Sequence, residues 1–291
     1  MSKLLDELNR LMDNTPTDVI RISEVTGNGE IETLERRRVC RCQNVYSVAK
    51  TFTMTAVGIL ADRDLVRLDE KICDIFAEEI ASGGYASELD ERWSGATVEM
   101  ALTHSLGLPG GFLDIDTHNV SEFTSDLLRY MLTYPLEYAP GTGSRYSDGA
   151  FYLLSRVVEK RVGECMDSFL WHELFWQLGF IEVSWSHCPM GHTIGATGLY
   201  VHSADMVKLG KLYLDGGVYG GKRLLSRDWV ELALTRHLGF DSSSIAGESH
   251  KGGMYGQRLM LLPEFERVIA IQSYGSCEPV IRRIDEIHCY N

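Results

Sequence analysis

Strand-like segments stand at both ends of this chain and helix-like segments fill its middle, and few folds can close a chain patterned that way. Near the N-terminus, Val19-Ile20-Arg21-Ile22-Ser23-Glu24-Val25 alternates, Gly27-Asn28-Gly29 turns, and Ile31-Glu32-Thr33-Leu34 resumes, which predicts a β-hairpin. Near the C-terminus, strands are expected over 257–262 and 267–274, separated by Pro263-Glu264-Phe265-Glu266. A closing helix over 277–290 puts Val280, Ile281, Ile284 and Ile287 on one face. Between these ends, helices are expected from Ser47 to about Ala61 and over 97–104. Others are expected over 121–132 (N-cap Ser121, Glu122 in the first turn), 149–161, 165–178, 204–214 and after Ser226. The aromatics Phe151, Tyr152, Phe169, Trp171, Phe175 and Trp176 read as core. The expected class is therefore α/β (α+β): one antiparallel sheet built from both termini and flanked by helices, with a mostly helical lobe inserted. The expected lobes are residues 1–62 plus 195–291 and residues 63–194, with the active site in the cleft between them.

The totals narrow the partners. A net charge of −13 over 291 residues argues against nucleic acid and against a membrane surface, since both select a basic face. The one basic run, Arg36-Arg37-Arg38 with Arg41, reads as a solvated strand edge. The first twelve residues have leucines at helical spacing, without the apolar core of a signal peptide, and no later stretch reaches about 18 uninterrupted apolar residues. Seven scattered cysteines suit a reducing compartment, so a cytoplasmic setting is expected.

Chemistry enters at Tyr46-Ser47-Val48-Ala49-Lys50, followed by the apolar run Met54 to Leu60. On a helix, Ser47 and Lys50 share a face one turn apart, so the amine returns towards the hydroxyl. A desolvated lysine can take the proton that keeps serine a poor nucleophile. The free N–H groups of a helix N-terminus favour the charge that develops on an attacked carbonyl. Alone, the pair is met by chance about once in a chain this long. Two further stretches complete it. Ala139-Pro140-Gly141-Thr142-Gly143-Ser144-Arg145-Tyr146-Ser147-Asp148 delivers a tyrosine just before a helix, suited to carry a proton to a leaving group. His250-Lys251-Gly252-Gly253 enters the strand expected at Gln257, and its glycines permit close backbone approach, with a Gly253 N–H to pair with that of Ser47 as an oxyanion hole.

Ser47-x-x-Lys50, Tyr146-Ser147-Asp148 and His250-Lys251-Gly252, in this order and about a hundred residues apart, resemble the three motifs of the penicillin-recognising serine hydrolases. The connecting text is most similar to the branch of class C β-lactamases, D-alanyl-D-alanine carboxypeptidase-like proteins and family VIII esterases. Leu102-Thr103-His104-Ser105-Leu106-Gly107-Leu108-Pro109, Tyr138-Ala139-Pro140-Gly141 and Ala196-Thr197-Gly198-Leu199-Tyr200 carry that likeness. The resemblance implies a β-lactamase/transpeptidase-like fold. It implies Ser47 as the acylated nucleophile, Lys50 as its proton acceptor and Tyr146 as the group that protonates the leaving group and activates water. It puts Asp148, His250, Lys251 and Gly252 in substrate binding, His250 taking the place of the third motif's usual lysine, with Ser47 and Gly253 as the oxyanion hole.

The departures matter as much. Asp148 stands where lactam-binding members commonly have an asparagine that donates to the substrate, and an ionised aspartate only accepts. Lys251 stands where a threonine or serine would hold a carboxylate; it either attracts that carboxylate as a point charge or points to solvent. His250 is expected to be neutral for part of the physiological range, making anion attraction pH-dependent. His187-Cys188 with His192 reads as a turn rather than a metal site, Cys40-x-Cys42 as two thiols on one face of a strand, and His104 as part of a structural turn. The expectation is a serine hydrolase that needs no metal or organic cofactor. It would cleave a small ester, amide or peptide substrate through an acyl-enzyme, in the manner of an esterase, D-aminopeptidase or carboxypeptidase. The rivals are a penicillin-binding protein or weak class C-like β-lactamase, and a non-catalytic ligand-binding descendant. Nothing in the sequence names the natural substrate or the oligomeric state.

Overall fold

A computed structural model describes residues 1–118, 123–242 and 248–289. The chain divides into two compact units, one of Met1–Val48, Glu173–Ser184 and Leu199–Asn291, the other of Ala49–His172 and Trp185–Gly198. The expected boundaries at 62 and 195 fall elsewhere for a physical reason. The helix Ala49–Ala61 is buried along all but its last residue and packs on the helix Asp148–Val162, so it belongs to the helical unit.

The first unit holds a six-stranded antiparallel sheet in the order Ile31–Glu35, Val19–Val25, Arg267–Ser273, Gln257–Leu262, Ser249–Gly253, Asp241–Ser242. The N-terminal hairpin and the C-terminal strands thus form one sheet, with Ile22 opposite Ile271 and Val25 opposite Val268. One face carries Ile22, Met260, Leu262, Ile269 and Ile271. They pack with Leu4, Leu5, Leu8 and Met12 of the first helix, Lys3–Asn14, and with Val280 and Ile284 of the last, Glu278–Cys289. The other face lies under the helix Ser203–Leu214, where a Cβ on Gly210 would sit 2.4 Å from Val268 and Ser23 Oγ lies 2.7 Å from Ser203 Oγ. Covering both faces buries every residue of Val19–Val25, although its alternating sequence predicts one solvated side. The segment 250–253 does not enter the Gln257 strand but forms its own, Ser249–Gly253, folded back antiparallel across the turn Met254–Gly256.

The helical unit contains Ala49–Ala61, Val98–Leu102 (capped by Thr97), Leu127–Leu132, Asp148–Val162 and Met166–Leu170. The expected N-cap Ser121 and Glu122 lie outside the described residues, and the helix there is capped by Asp126, whose carboxylate accepts from Arg129 N. The helix expected over 165–178 leaves α geometry after Leu170 and continues as a π turn, Trp171–Phe175. Cys40 and Cys42 are not strand residues with buried thiols. Cys40 is exposed, Cys42 is half-buried and the strand begins at Gln43, because buried Arg21 and Gln43 take the Cys40 carbonyl and hold this stretch as a bend. Among the described residues no helix is long and apolar enough to cross a membrane.

Leu5 and Leu8 are fully buried where the first helix meets the sheet. Leu8→Ala is expected to cost about 2–4 kcal/mol, read as a lowered urea midpoint at unchanged slope.

Candidate active site

Ser47 sits in the middle of the single 3₁₀ turn Tyr46–Val48, which runs without a break into the helix Ala49–Ala61. Two local hydrogen bonds shape this turn. Tyr46 N donates to Asn44 Oδ1 at 2.9 Å, and Val48 N donates to Val45 O at 3.1 Å. Tyr46 has φ 48°, a left-handed conformation that a bulky residue holds only when its surroundings fix it. Its ring meets that of Tyr255, itself at φ 57°, edge-on at 5.3 Å. Gly253 closes the arrangement, since a Cβ there would lie 2.4 Å from Val45 O and 3.2 Å from Tyr46 Cβ. Only glycine lets this strand approach the serine turn.

Within the helical unit, Lys50 is fully buried and its Nζ lies 2.7 Å from Asp148 Oδ1 and 2.9 Å from Ala196 O. Tyr146 lies alongside, its ring centroid 4.8 Å from the same nitrogen and its side chain 44% exposed. Burial alone pulls the Lys50 pKa down, but the Asp148 carboxylate and Tyr146 outweigh it, and the net shift is upward. A raised value favours the ammonium form, and an ammonium has no lone pair with which to take a proton.

Each side chain is placed by local structure. Ser147 caps the helix Asp148–Val162 by accepting from Ala150 N, which leaves Tyr146 just outside the helix and Asp148 in its first turn. His104, at φ 54°, accepts from Ser147 N through Nδ1 and from Arg145 N through its carbonyl, and its ring lies tilted by 37° against that of Tyr146, the centroids 4.5 Å apart. His104 lies in a turn, as expected, and its hydrogen bonds hold the tyrosine loop in place. The segment 193–197 crosses the helices with its carbonyls taken by side chains. Ser155 bonds Thr193, Thr53 bonds Gly195, Lys50 bonds Ala196 and Trp185 bonds Thr197. Sequence reasoning missed Ala196 O, as a backbone acceptor carries no residue signature. It also missed Asp116, whose carboxylate accepts from Thr197 at 2.5 Å and is pushed up by burial and by neighbouring Asp148 and Asp114.

The third motif needs correction. In the strand Ser249–Gly253, His250 pairs with Met260 and Gly252 with Arg258, on the sheet face covered by the first and last helices. Lys251 pairs with Leu259 and Gly253 with Gln257, on the opposite face, the one that meets Tyr46. Lys251 therefore lies on the sheet face that meets Tyr46, and His250 on the other. Lys251 does not point to solvent: it is buried, with Nζ 3.1 Å from Asp241 Oδ1. Burial, then the Arg258 charge, lowers the His250 pKa to about 4, so it stays neutral across the physiological range instead of titrating within it.

The profile of the family described as Beta-lactamase matches residues 42–278. The chain belongs to the beta-lactamase family. Within that family it is 26% identical over 208 residues to penicillin-binding protein 4 of Amycolatopsis lactamdurans, covering 62% of this chain and 53% of that one. It is 30% identical over 128 residues to lovastatin esterase of Penicillium rubens, covering 42% and 32%. The chain spans about half, or less, of the length of these curated relatives. A putative 6-aminohexanoate-dimer hydrolase from Bacillus anthracis superposes with a TM-score of 0.77 at 17% identity, over 97% of this chain and 81% of that one, which establishes the β-lactamase-like fold.

Two outcomes test this beta-lactamase family site. Gly253→Ala drives a methyl into Val45 O, so covalent labelling of Ser47 should slow by at least tenfold while far-ultraviolet circular dichroism is retained. His250 is held below its ordinary value of 6.5, so the unfolded chain binds the extra proton and stability falls as pH drops from about 6.5 towards 4. His250→Asn should remove of order 1–3 kcal/mol of that fall in urea titrations across this window.

Proposed function

We propose that this protein is a serine hydrolase that acylates Ser47 and cleaves a small, uncharged ester or amide. The observation that carries this reading is the buried Lys50–Asp148 pair one turn after Ser47, with Tyr146 beside it. In the proposed reaction Ser47 Oγ attacks the carbonyl carbon while its proton passes to the Tyr146 oxygen. The Lys50 ammonium supplies a fixed positive charge that stabilises that oxygen while it is anionic. Backbone N–H groups of Ser47 and Gly253 receive the oxyanion. Tyr146 then returns the proton to the leaving alcohol or amine, and water releases the acyl group by the reverse sequence.

The charge pattern supports an uncharged substrate. No hydroxyl stands in the third motif in either register, Lys251 is matched by Asp241 and His250 is neutral, so little remains to hold a substrate carboxylate. Similarity to a protein named lovastatin esterase points the same way. The penicillin-binding reading requires that missing anion contact. A reducing, cytoplasmic setting accords with the six described cysteines, all of them free thiols.

Intact mass after incubation with a fluorophosphonate, and separately with a penicillin, tests the assignment. A fluorophosphonate adduct that vanishes in Ser47→Ala, with no lasting penicillin adduct, is the expected result. Penicillin labelling would shift the reading to a penicillin-binding protein, and no adduct in folded protein would favour a binding descendant. The ion pair has its own signature. With the Lys50 pKa raised, the stability it contributes is fully present below the ordinary lysine value of 10.5 and is lost only as pH rises through the raised value. In Asp148→Asn the loss should move to lower pH and kcat/KM should fall roughly ten- to hundredfold. Asp148→Ala, which strands a buried ammonium, should destabilise by about 3–5 kcal/mol.

A further inference from the structure

On the helical unit, away from Lys50, three side chains of metal-binding type converge. Cys165 Sγ, an Asp167 carboxylate oxygen and a His187 ring nitrogen all lie within 4.8 Å of one another, and His187 Nε2 is already 3.3 Å from Asp167. We propose that Cys165, Asp167 and His187 bind one zinc-type divalent cation, with water as the fourth ligand.

The donor set suits zinc, which takes thiolate, imidazole and carboxylate together in tetrahedral geometry. Bond lengths of about 2.0–2.3 Å place tetrahedral ligands roughly 3.3–3.8 Å apart, so side-chain rotation of about an ångström closes the set. Cys165 would coordinate as the thiolate, its proton released to solvent.

Two further observations support a built site. First, buried Glu159 fastens both ligand-bearing segments. Its Oε1 accepts from Met166 N at 3.3 Å and from Thr193 N at 2.9 Å, and its Oε2 lies 2.8 Å from His192 Nδ1. The Thr193 hydroxyl in turn donates to Asp167 Oδ1 at 3.1 Å, and His187 forms a β-bridge with Thr193, so the carboxylate and imidazole are oriented by partners behind them. Second, Cys165 lines an open cavity of about 360 Å³ together with Glu79, Arg156, Glu159, Lys160 and Glu164, which opens the thiol side of the cluster to solvent. Proline and glycine in the turn Cys188-Pro189-Met190-Gly191 bring His187 back beside Thr193, so the turn expected from sequence is also the device that presents the ligand. Bound metal would tie Cys165 to the segment that continues to Ala196, whose carbonyl receives the Lys50 ammonium.

Cobalt(II) is the probe. Titrating the metal-free, reduced full-length protein should give one equivalent of bound cobalt with a thiolate-to-cobalt band in the near ultraviolet, displaced by zinc. The band should be lost in Cys165→Ser and His187→Ala and retained in Cys40→Ser/Cys42→Ser. Ser47→Ala should retain it too, so failure of the hydrolase reading and failure of this one are distinguishable. Zinc at a hundredfold excess over Kd should raise Tm by about 4 °C in the wild type and not in Cys165→Ser or His187→Ala. The proposal is overturned if the folded wild type gives no band. It is equally overturned if the band disappears in Cys40→Ser/Cys42→Ser or persists at full affinity in His187→Ala.

Discussion

A fully buried lysine is the constraint on which the helical unit depends. An ammonium removed from water is tolerated only where an opposite charge and hydrogen-bond acceptors replace the solvent, and Asp148 Oδ1 and Ala196 O supply them. Meeting that demand fixes several elements at once. The helix Ala49–Ala61 must bring Lys50 to the first turn of Asp148–Val162, Ser147 must cap that turn, and the segment 193–197 must present its carbonyls in sequence to Ser155, Thr53, Lys50 and Trp185. Tyr146 lies beside the ammonium, just outside the turn that Ser147 caps.

The sheet unit meets a different demand, which is to hold Ser47 in a turn that its sequence does not favour. Tyr46 takes a left-handed conformation, and the local hydrogen bond that its N–H donates to Asn44, the ring of Tyr255 and the bare backbone of Gly253 together hold it there. Such a turn persists only on a rigid support, here a sheet sealed on one face by the first and last helices and on the other by Ser203–Leu214.

Much of this architecture is legible in the sequence because it rests on local patterning. The hairpin Val19–Val25 with Ile31–Glu35, the paired C-terminal strands and the helices at 49–61, 148–162 and 203–214 follow from periodicity, turn residues and caps. The three motif segments also stand out, because reactive residue types at that spacing are rare together. What the sequence concealed depends on non-local pairing. Alternation alone did not reveal that Val19–Val25 is covered on both sides. Residue order alone could not fix whether His250 or Lys251 faces the serine turn, since a shift of one residue exchanges the two faces of a strand. Cys40 and Cys42 left the expected strand because a distant arginine holds their backbone in a bend.

The sequence by itself determined the fold class and the candidate reactive set, because hydrophobic period and side-chain chemistry are properties of short stretches. Only the tertiary structure decided protonation and register. The Lys50 pKa is raised, Lys251 is matched by Asp241 and the His250 pKa is lowered because of neighbours that lie 98 residues, 10 residues and one strand away. Burial and Coulomb interactions act through space, and they are set once the chain has closed upon itself.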